Sequence, residues 1–268
     1  MRVNDGNTAL YAAAEFGQEK VVLLLLSAGA NVNEINNNSK TPLYIAAQNG
    51  HQKIVFMLIS SGANVNQPGN YGKTPLYVAA ENGHEDILLE LISNGAKVNQ
   101  PEDYGRTALY IAAEKNHRAV VSILIRAKAK VNQAGNYGRT PLFAAANKGH
   151  IDILSMLISS KANVNKLDNT KNSPLYVAAS CGHKEVVSLL ISSKANLNHV
   201  SKNRKTPLYV AVESGHKDIV SLLISAKASL KSTYFGNTLE YAARYNRDIQ
   251  EMIISAKAKA ETVNQVND

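Results

Sequence analysis

A hydroxyl residue returns every 33 positions along this chain, at Thr8, Thr41, Thr74, Thr107, Thr140, Ser173 and Thr206. The text around each is alike: TPLYIAAQNGH from Thr41, TPLYVAAENGH from Thr74, TALYIAAEKNH from Thr107, TPLFAAANKGH from Thr140, SPLYVAASCGH from Ser173 and TPLYVAVESGH from Thr206. A period of this length means one supersecondary unit copied along the chain, and it limits the fold before any single motif is weighed.

The third copy shows what the unit must be. Thr74 and Pro75 open a helix, because a hydroxyl caps free amides and proline suits the first helical turn. Ala79 and Ala80 keep that helix low in profile, so that a neighbour can approach closely. Asn82-Gly83-His84 breaks it. A second helix follows, in which Ile87 with Leu91 and Leu88 with Ile92 form an apolar face, and Gly95 ends it in a left-handed cap. The remaining stretch, KVNQPEDYG, predicts an extended turn projecting from the stack. A lone helical pair has almost no interior, so the copies must stack to create a core. The expected fold class is all-α, an α-solenoid.

This unit resembles the ankyrin-repeat family, whose 33-residue module of a β-turn and two helices carries T-P-L-H-x-A. The likeness extends to the GH after the first helix and to GANVN, as at Asn31 to Asn33 and Asn64 to Asn66. It implies stacked helix-turn-helix units with short β-hairpin loops, about eight repeats, covering residues 1–260. The approximate repeat bounds are 3–35, 36–68, 69–101, 102–134, 135–167, 168–200, 201–233 and 234–260, with a C-terminal tail at 261–268. One departure is systematic. The family histidine is replaced by Tyr11, Tyr44, Tyr77, Tyr110, Phe143, Tyr176 and Tyr209. In the family that histidine ties neighbouring repeats by hydrogen bonds, a role a tyrosine hydroxyl fills but Phe143 cannot, and the row reads as structural.

Several suggestive motifs dissolve into this frame. Gly72-Lys73-Thr74 imitates the end of a phosphate-binding loop, but Gln67 stands where such a loop needs its first glycine, and the preceding buried strand is missing. Gly72, Gly105 and Gly138 read as tight-turn residues at the hairpin tips. His51, His84, His117, His150, His183 and His216 read as helix-entry residues, because packed helices lie roughly 8 to 10 Å apart and equivalent histidines cannot share one metal ion. No Ser, His and Asp set stands outside the repeating frame, and the reading assigns no enzyme activity, metal or cofactor. Cys181 is the only cysteine, which excludes an intrachain disulfide and fits a reducing, cytoplasmic compartment; it reads as a buried thiol.

What varies between copies points to binding. Ankyrin proteins engage partners with the hairpin tips and the inner ends of the first helices. The resemblance therefore implies a partner surface at Tyr71, Tyr104 and Tyr137, beside Lys40, Lys73, Arg106, Arg139 and Lys205. Next to them come Glu15, Gln48, Glu81, Glu114, Asn147, Ser180 and Glu213. The expected site comprises Tyr71, Tyr104, Tyr137, Lys73, Arg106, Arg139, Glu81 and Glu114, because aromatic residues flanked by arginine make binding hot spots. The competing reading is structural: Lys73 neutralises Glu81, Arg106 neutralises Glu114, and the tyrosines pack on one another.

Two irregularities bear on context. The second helix is expected to end at Gly29, Gly62 and Gly95 in the early units and at Lys128, Lys161, Lys194, Lys227 and Lys257 later, at a cost on the order of 1 kcal/mol wherever a left-handed conformation is needed. Leu23, Phe56 and Leu89 give way to Ser122, Ser155, Ser188 and Ser221. The run VVLLLL from Val21 to Leu26 leaves the first unit uncapped, so a contact covering this apolar repeat is expected, whereas Gln250 and Glu251 give the last unit a polar face.

The resulting expectation is a non-catalytic protein-protein interaction scaffold that binds a protein or peptide. The alternative is a targeting module of a larger protein, such as a secreted bacterial effector enzyme whose catalytic domain lies outside this chain and which is delivered into a host cell. A net charge of +8 admits nucleic acid, but the lysines are interleaved with acids and form no stripe with stacking aromatics, which disfavours it. No run is long enough for a membrane span. The loop asparagines Asn33, Asn66, Asn99, Asn132, Asn165 and Asn198 are candidates for hydroxylation through the family resemblance; the simpler reading is that they bind the turn backbone.

Overall fold

Each threonine of the period does what a helix N-terminus requires. In the computed structural model, which describes residues 5–231 and 236–266 and the side chains of that range up to 260, Thr41 has an extended backbone and its hydroxyl accepts from the Tyr44 amide at 3.1 Å. Pro42 follows at the first helical position, and the helix stops where Gly50 turns left-handed at φ 83°. The same cap recurs at Thr8, Thr74, Thr107, Thr140, Ser173, Thr206 and Thr238. Sixteen α-helices and no strand are formed among the described residues, in an all-α repeat solenoid.

The chain divides into two units, residues 1–136 and 137–268. The first holds α1 (Ala9–Glu15), α2 (Glu19–Ser27), α3 (Pro42–Asn49), α4 (Gln52–Ser60), α5 (Pro75–Asn82), α6 (Glu85–Ser93), α7 (Ala108–Glu114) and α8 (Arg118–Arg126). Here α1, α3, α5 and α7 stack as one layer and α2, α4, α6 and α8 as the other. The second unit holds α9 (Pro141–Lys148), α10 (Ile151–Ser159), α11 (Pro174–Cys181), α12 (Lys184–Ser192), α13 (Pro207–Glu213), α14 (Lys217–Ser225), α15 (Leu239–Ala242) and α16 (Arg247–Val266). It repeats the two-layer plan, with α9, α11, α13 and α15 in one layer and α10, α12, α14 and α16 in the other.

Alanines make the stacking close. Ala46, Ala47, Ala79 and Ala80 are fully buried between first helices, and Leu58, Leu88 and Leu91 seal them from the second layer. Each such leucine contributes roughly 1.5–3 kcal/mol by leaving water. The loops are turns closed by backbone bonds, the Gly69 amide to the Lys73 carbonyl at 2.8 Å and the Glu102 amide to the Arg106 carbonyl at 3.0 Å, and one tip bonds the next within a unit, as when the Asp103 amide donates to the Tyr71 carbonyl at 3.0 Å.

The helix-ending residues behave as their positions require, with one exception. Gly29, Gly62 and Gly95 have φ between 79° and 87°, and Lys128, Lys161, Lys194 and Lys227 occupy the same left-handed region at 61° to 66°. Lys257 does not end a helix. It lies inside α16, where a run of helix formers meets no left-handed residue and the Lys257 ammonium pairs with Glu240 at 2.5 Å. The first unit carries its apolar character outward: α2 buries only Val22, while Leu23, Leu24, Phe56 and Leu89 are exposed. At the other end Glu251 is exposed and pairs with Arg247 at 2.9 Å. No described helix is long and apolar enough to cross a membrane.

Candidate functional site

The histidine row is built into the repeat joints. Each histidine of the row precedes its second helix, and within each unit its Nε2 meets a backbone carbonyl of the preceding repeat: in the first unit His51 with Glu15 at 3.1 Å, His84 with Gln48 at 3.1 Å, and His117 with Glu81 at 3.0 Å. In the second unit His183 and His216 do the same with Asn147 and Ser180, both at 3.1 Å. The ring lies against the left-handed glycine of that preceding repeat. A Cβ on Gly17, Gly50, Gly83, Gly149 or Gly182 would fall 2.7–2.8 Å from a ring atom. The glycine and histidine of GH are therefore required by each other across a repeat boundary.

The loop asparagines form a second tie. Asn33 donates to the Gly62 carbonyl at 3.1 Å and accepts from the Asn64 amide at 2.7 Å; Asn66 does likewise with Gly95 and Lys97. Asn99 accepts from Lys130, Asn165 from Asn196, and Asn198 from Ser229. They bind turn backbone as expected, but that of the following repeat.

The aromatic row is core. Tyr11, Tyr44, Tyr77, Tyr110, Phe143 and Tyr209 are buried, and burial pushes the Tyr11 and Tyr44 phenols up to about 12. Their hydroxyls are not a uniform tie: Tyr11 engages Asn36 and Tyr176 engages Ser201, while the buried Tyr77 hydroxyl has no partner. The rings of Tyr11, Tyr44, Tyr77 and Tyr176 face a loop position that varies between copies, here Asn36, Gly69, Glu102 and Ser201; Gly135 and Asp168 hold the same place in two other copies. Gly69 makes room for the Tyr44 ring, since a Cβ there would lie 2.8 Å from it. Where a polar side chain stands, it is buried and collects the turn amides. Glu102 Oε1 accepts from Tyr104 and Arg106 amides at 3.1 and 3.0 Å, and Asp168 Oδ1 accepts from Thr170 and Asn172 at 2.9 and 2.8 Å.

On this frame sit the residues expected to bind. Tyr71, Tyr104 and Tyr137 are exposed at their loop tips, by 57%, 45% and 62%. The Arg106 guanidinium lies 5.7 Å from the Tyr104 ring and that of Arg139 lies 6.0 Å from Tyr137. Lys73 grips both oxygens of Glu81 at 2.9 and 3.0 Å, and its ammonium sits 5.3 Å from the Tyr77 ring. Arg106 pairs with the neighbouring Glu102, Nε to Oε1 at 3.1 Å, and Glu114 adds to the field that raises the Arg106 pKa. Arg139 reaches Asp168 at 3.6 Å. The structure thus brings Tyr71, Lys73 and Glu81 to one cleft and pairs each arginine with its own tip tyrosine.

Three further features of the sequence have their places. Gly72, Gly105 and Gly138 are left-handed, and a Cβ on each would strike Asp103, Asn136 or Asn169 of the next loop. With Thr74 capping α5 and Lys73 on Glu81, the GKT triplet is occupied by its own fold. Cys181 is exposed and not buried: it is the last residue of α11, beyond the buried turns of that helix, and its sulfur lies 3.7 Å from Asn147 Oδ1 of the preceding repeat. No group of three or more His, Cys, Asp or Glu fit to hold a metal occurs among the described residues.

A fold of stacked helical pairs, tied repeat to repeat and presenting its variable residues at loop tips, is that of a repeat-built interaction protein. The chain belongs to the ankyrin-repeat family: the family description, ankyrin repeats in three copies, matches residues 1–69, 32–102, 67–135, 127–201 and 185–265. No curated protein matches it significantly. Ankyrin repeats generally mediate protein-protein interaction and are typically non-catalytic.

Proposed function

We propose that this chain is a non-catalytic scaffold that captures a protein or peptide on its hairpin tips and the inner ends of its first helices. The observation that carries the reading is the exposure of Tyr71, Tyr104 and Tyr137 on tips whose glycine turns are locked against the next loop. A large aromatic held on a rigid turn loses little conformational freedom on binding, and a stacked arginine adds a hydrogen-bonding cation to the same contact. Lys73, Glu81, Arg106, Glu114 and Arg139 frame the tyrosines. The lone exposed cysteine fits a cytoplasmic setting.

The test is affinity capture from cell lysate by the parent and by the Tyr104→Ala, Tyr137→Ala double variant. Loss of the captured partner with a nearly unchanged melting temperature is expected. Equal capture by both proteins removes this site. A second reading, a targeting module for a larger protein such as a secreted bacterial effector enzyme, draws on the exposed Phe16, Leu23 and Leu24 of the first repeat, which a neighbouring body would cover. Protection of that face in the full reading frame, measured by hydrogen exchange, distinguishes the two.

A further inference from the structure

In the first unit the residue just before the cap threonine is Asn7 in the first copy and basic in the next three, Lys40, Lys73 and Arg106, all half-buried. A partly desolvated cation collects counter-charge from its surroundings. Lys73 has the two oxygens of Glu81, and Arg106 has Glu102 Oε1. Lys40 has neither. At the place where Lys73 meets a carboxylate, Lys40 meets the amide oxygen of Gln48, at 3.5 Å, and its ammonium sits 5.2 Å from the Tyr44 ring. An ammonium carries three donors, and a contact at 3.5 Å satisfies one of them weakly.

Lys40 and Lys73 open into one cleft of about 260 Å³, lined also by Tyr44, Gln48, Tyr71 and Glu81. Its charges do not cancel: two ammonium groups face one carboxylate, and that carboxylate has both oxygens on Lys73. Sites for nucleotides and drug-sized ligands run from roughly 300 to 1,000 Å³, so this cleft suits a single side chain. We propose that it takes one carboxylate, the Asp or Glu side chain of an extended peptide, on Lys40 Nζ. The Gln48 amide group donates the second hydrogen bond. This rests on the binding reading above and adds the chemistry of what is bound. Glu81 in the same cleft disfavours a dianion such as a phosphate, which would place two further negative charges beside it. The exposed Tyr71 ring at the cleft mouth flanks the peptide backbone.

The experiment titrates the isotope-labelled full chain with the blocked tripeptide Ac-Ala-Glu-Ala-NH2, with Ac-Ala-Gln-Ala-NH2 as its neutral isostere, and follows the Lys40 and Gln48 side chains by NMR. Saturable shifts are expected with the acidic tripeptide only. Gln48→Glu gives Lys40 the internal carboxylate that Lys73 already has, and Lys40→Gln removes the charge; each is expected to weaken the acidic tripeptide at least tenfold while circular dichroism is unchanged. No shift at Lys40, an equal response to the glutamine tripeptide, or undiminished binding in Gln48→Glu overturns the proposal. Tighter binding of the phosphoserine tripeptide overturns the choice of a carboxylate. The tyrosine reading makes no demand on ligand charge, so it stands or falls separately on capture by the tyrosine variants.

Discussion

His84 reaches back over Gly50: its Nε2 lies 3.1 Å from the Gln48 carbonyl, and its Cε1 occupies the place, 2.8 Å away, where a side chain on Gly50 would begin. Gly50→Ala therefore meets two penalties, a left-handed φ of 83° and the ring. The expected loss is about 2 kcal/mol, net of the reduced freedom of the unfolded chain. His84→Ala in the same background removes the steric part, so urea unfolding of the two single variants and the double variant should show positive coupling. Additive losses would mean the ring yields freely.

The left-handed lysines give a prediction of the opposite sign. Lys194 has φ 63° where Gly29, Gly62 and Gly95 stand in earlier repeats, and around those glycines a Cβ would meet nothing within 4 Å. The strain at Lys194 is thus one of backbone alone. Lys194→Gly should raise the unfolding free energy by about 1 kcal/mol, and Gly62→Lys should lower it by a similar amount, as read from urea midpoints at constant slope.

Glu102 is the buried charge of the first unit. Its side chain is fully enclosed, Oε1 takes three donors, and Oε2 takes none. Glu102→Ala strands two turn amides and the Arg106 guanidinium, which keeps access to water, and should cost about 2–3 kcal/mol. Glu102→Gln retains an acceptor for the turn and should cost less than half of that. Equal losses in thermal melts would place the whole effect in the charge.

The exposed apolar row of the first unit predicts a near-silent change. Phe56 is 59% exposed and its counterparts in later repeats are Ser122, Ser155, Ser188 and Ser221. Phe56→Ser should shift stability by less than about 1 kcal/mol and reduce the fluorescence of a bound hydrophobic dye.

The frame was legible because the cap threonines, stacking alanines and left-handed residues answer to local backbone physics, which a period displays directly. Lys257 is the exception: it lies 30 and not 33 residues after Lys227 and shares with it only the letters ISAKA, and no residue there favours leaving the helix. The partner of each GH glycine was hidden for another reason: the ring that makes glycine necessary lies 34 residues onward, as with Gly50 and His84. Least legible was the loop position of Asn36, Gly69, Glu102 and Ser201. There the copies share a task, fitting under the previous aromatic ring, and discharge it with different side chains, so a search for recurring letters passes over it.

The ties between repeats within each unit have one property in common. The histidine and asparagine of one repeat address carbonyls and amides of its neighbour, atoms that every residue type but proline supplies. A copy inserted by duplication therefore finds its docking points already present, so long as the adjacent copy keeps the glycine under the histidine ring. Such an array can lengthen or shorten by whole modules without compensating change, leaving the loop tips free to diversify.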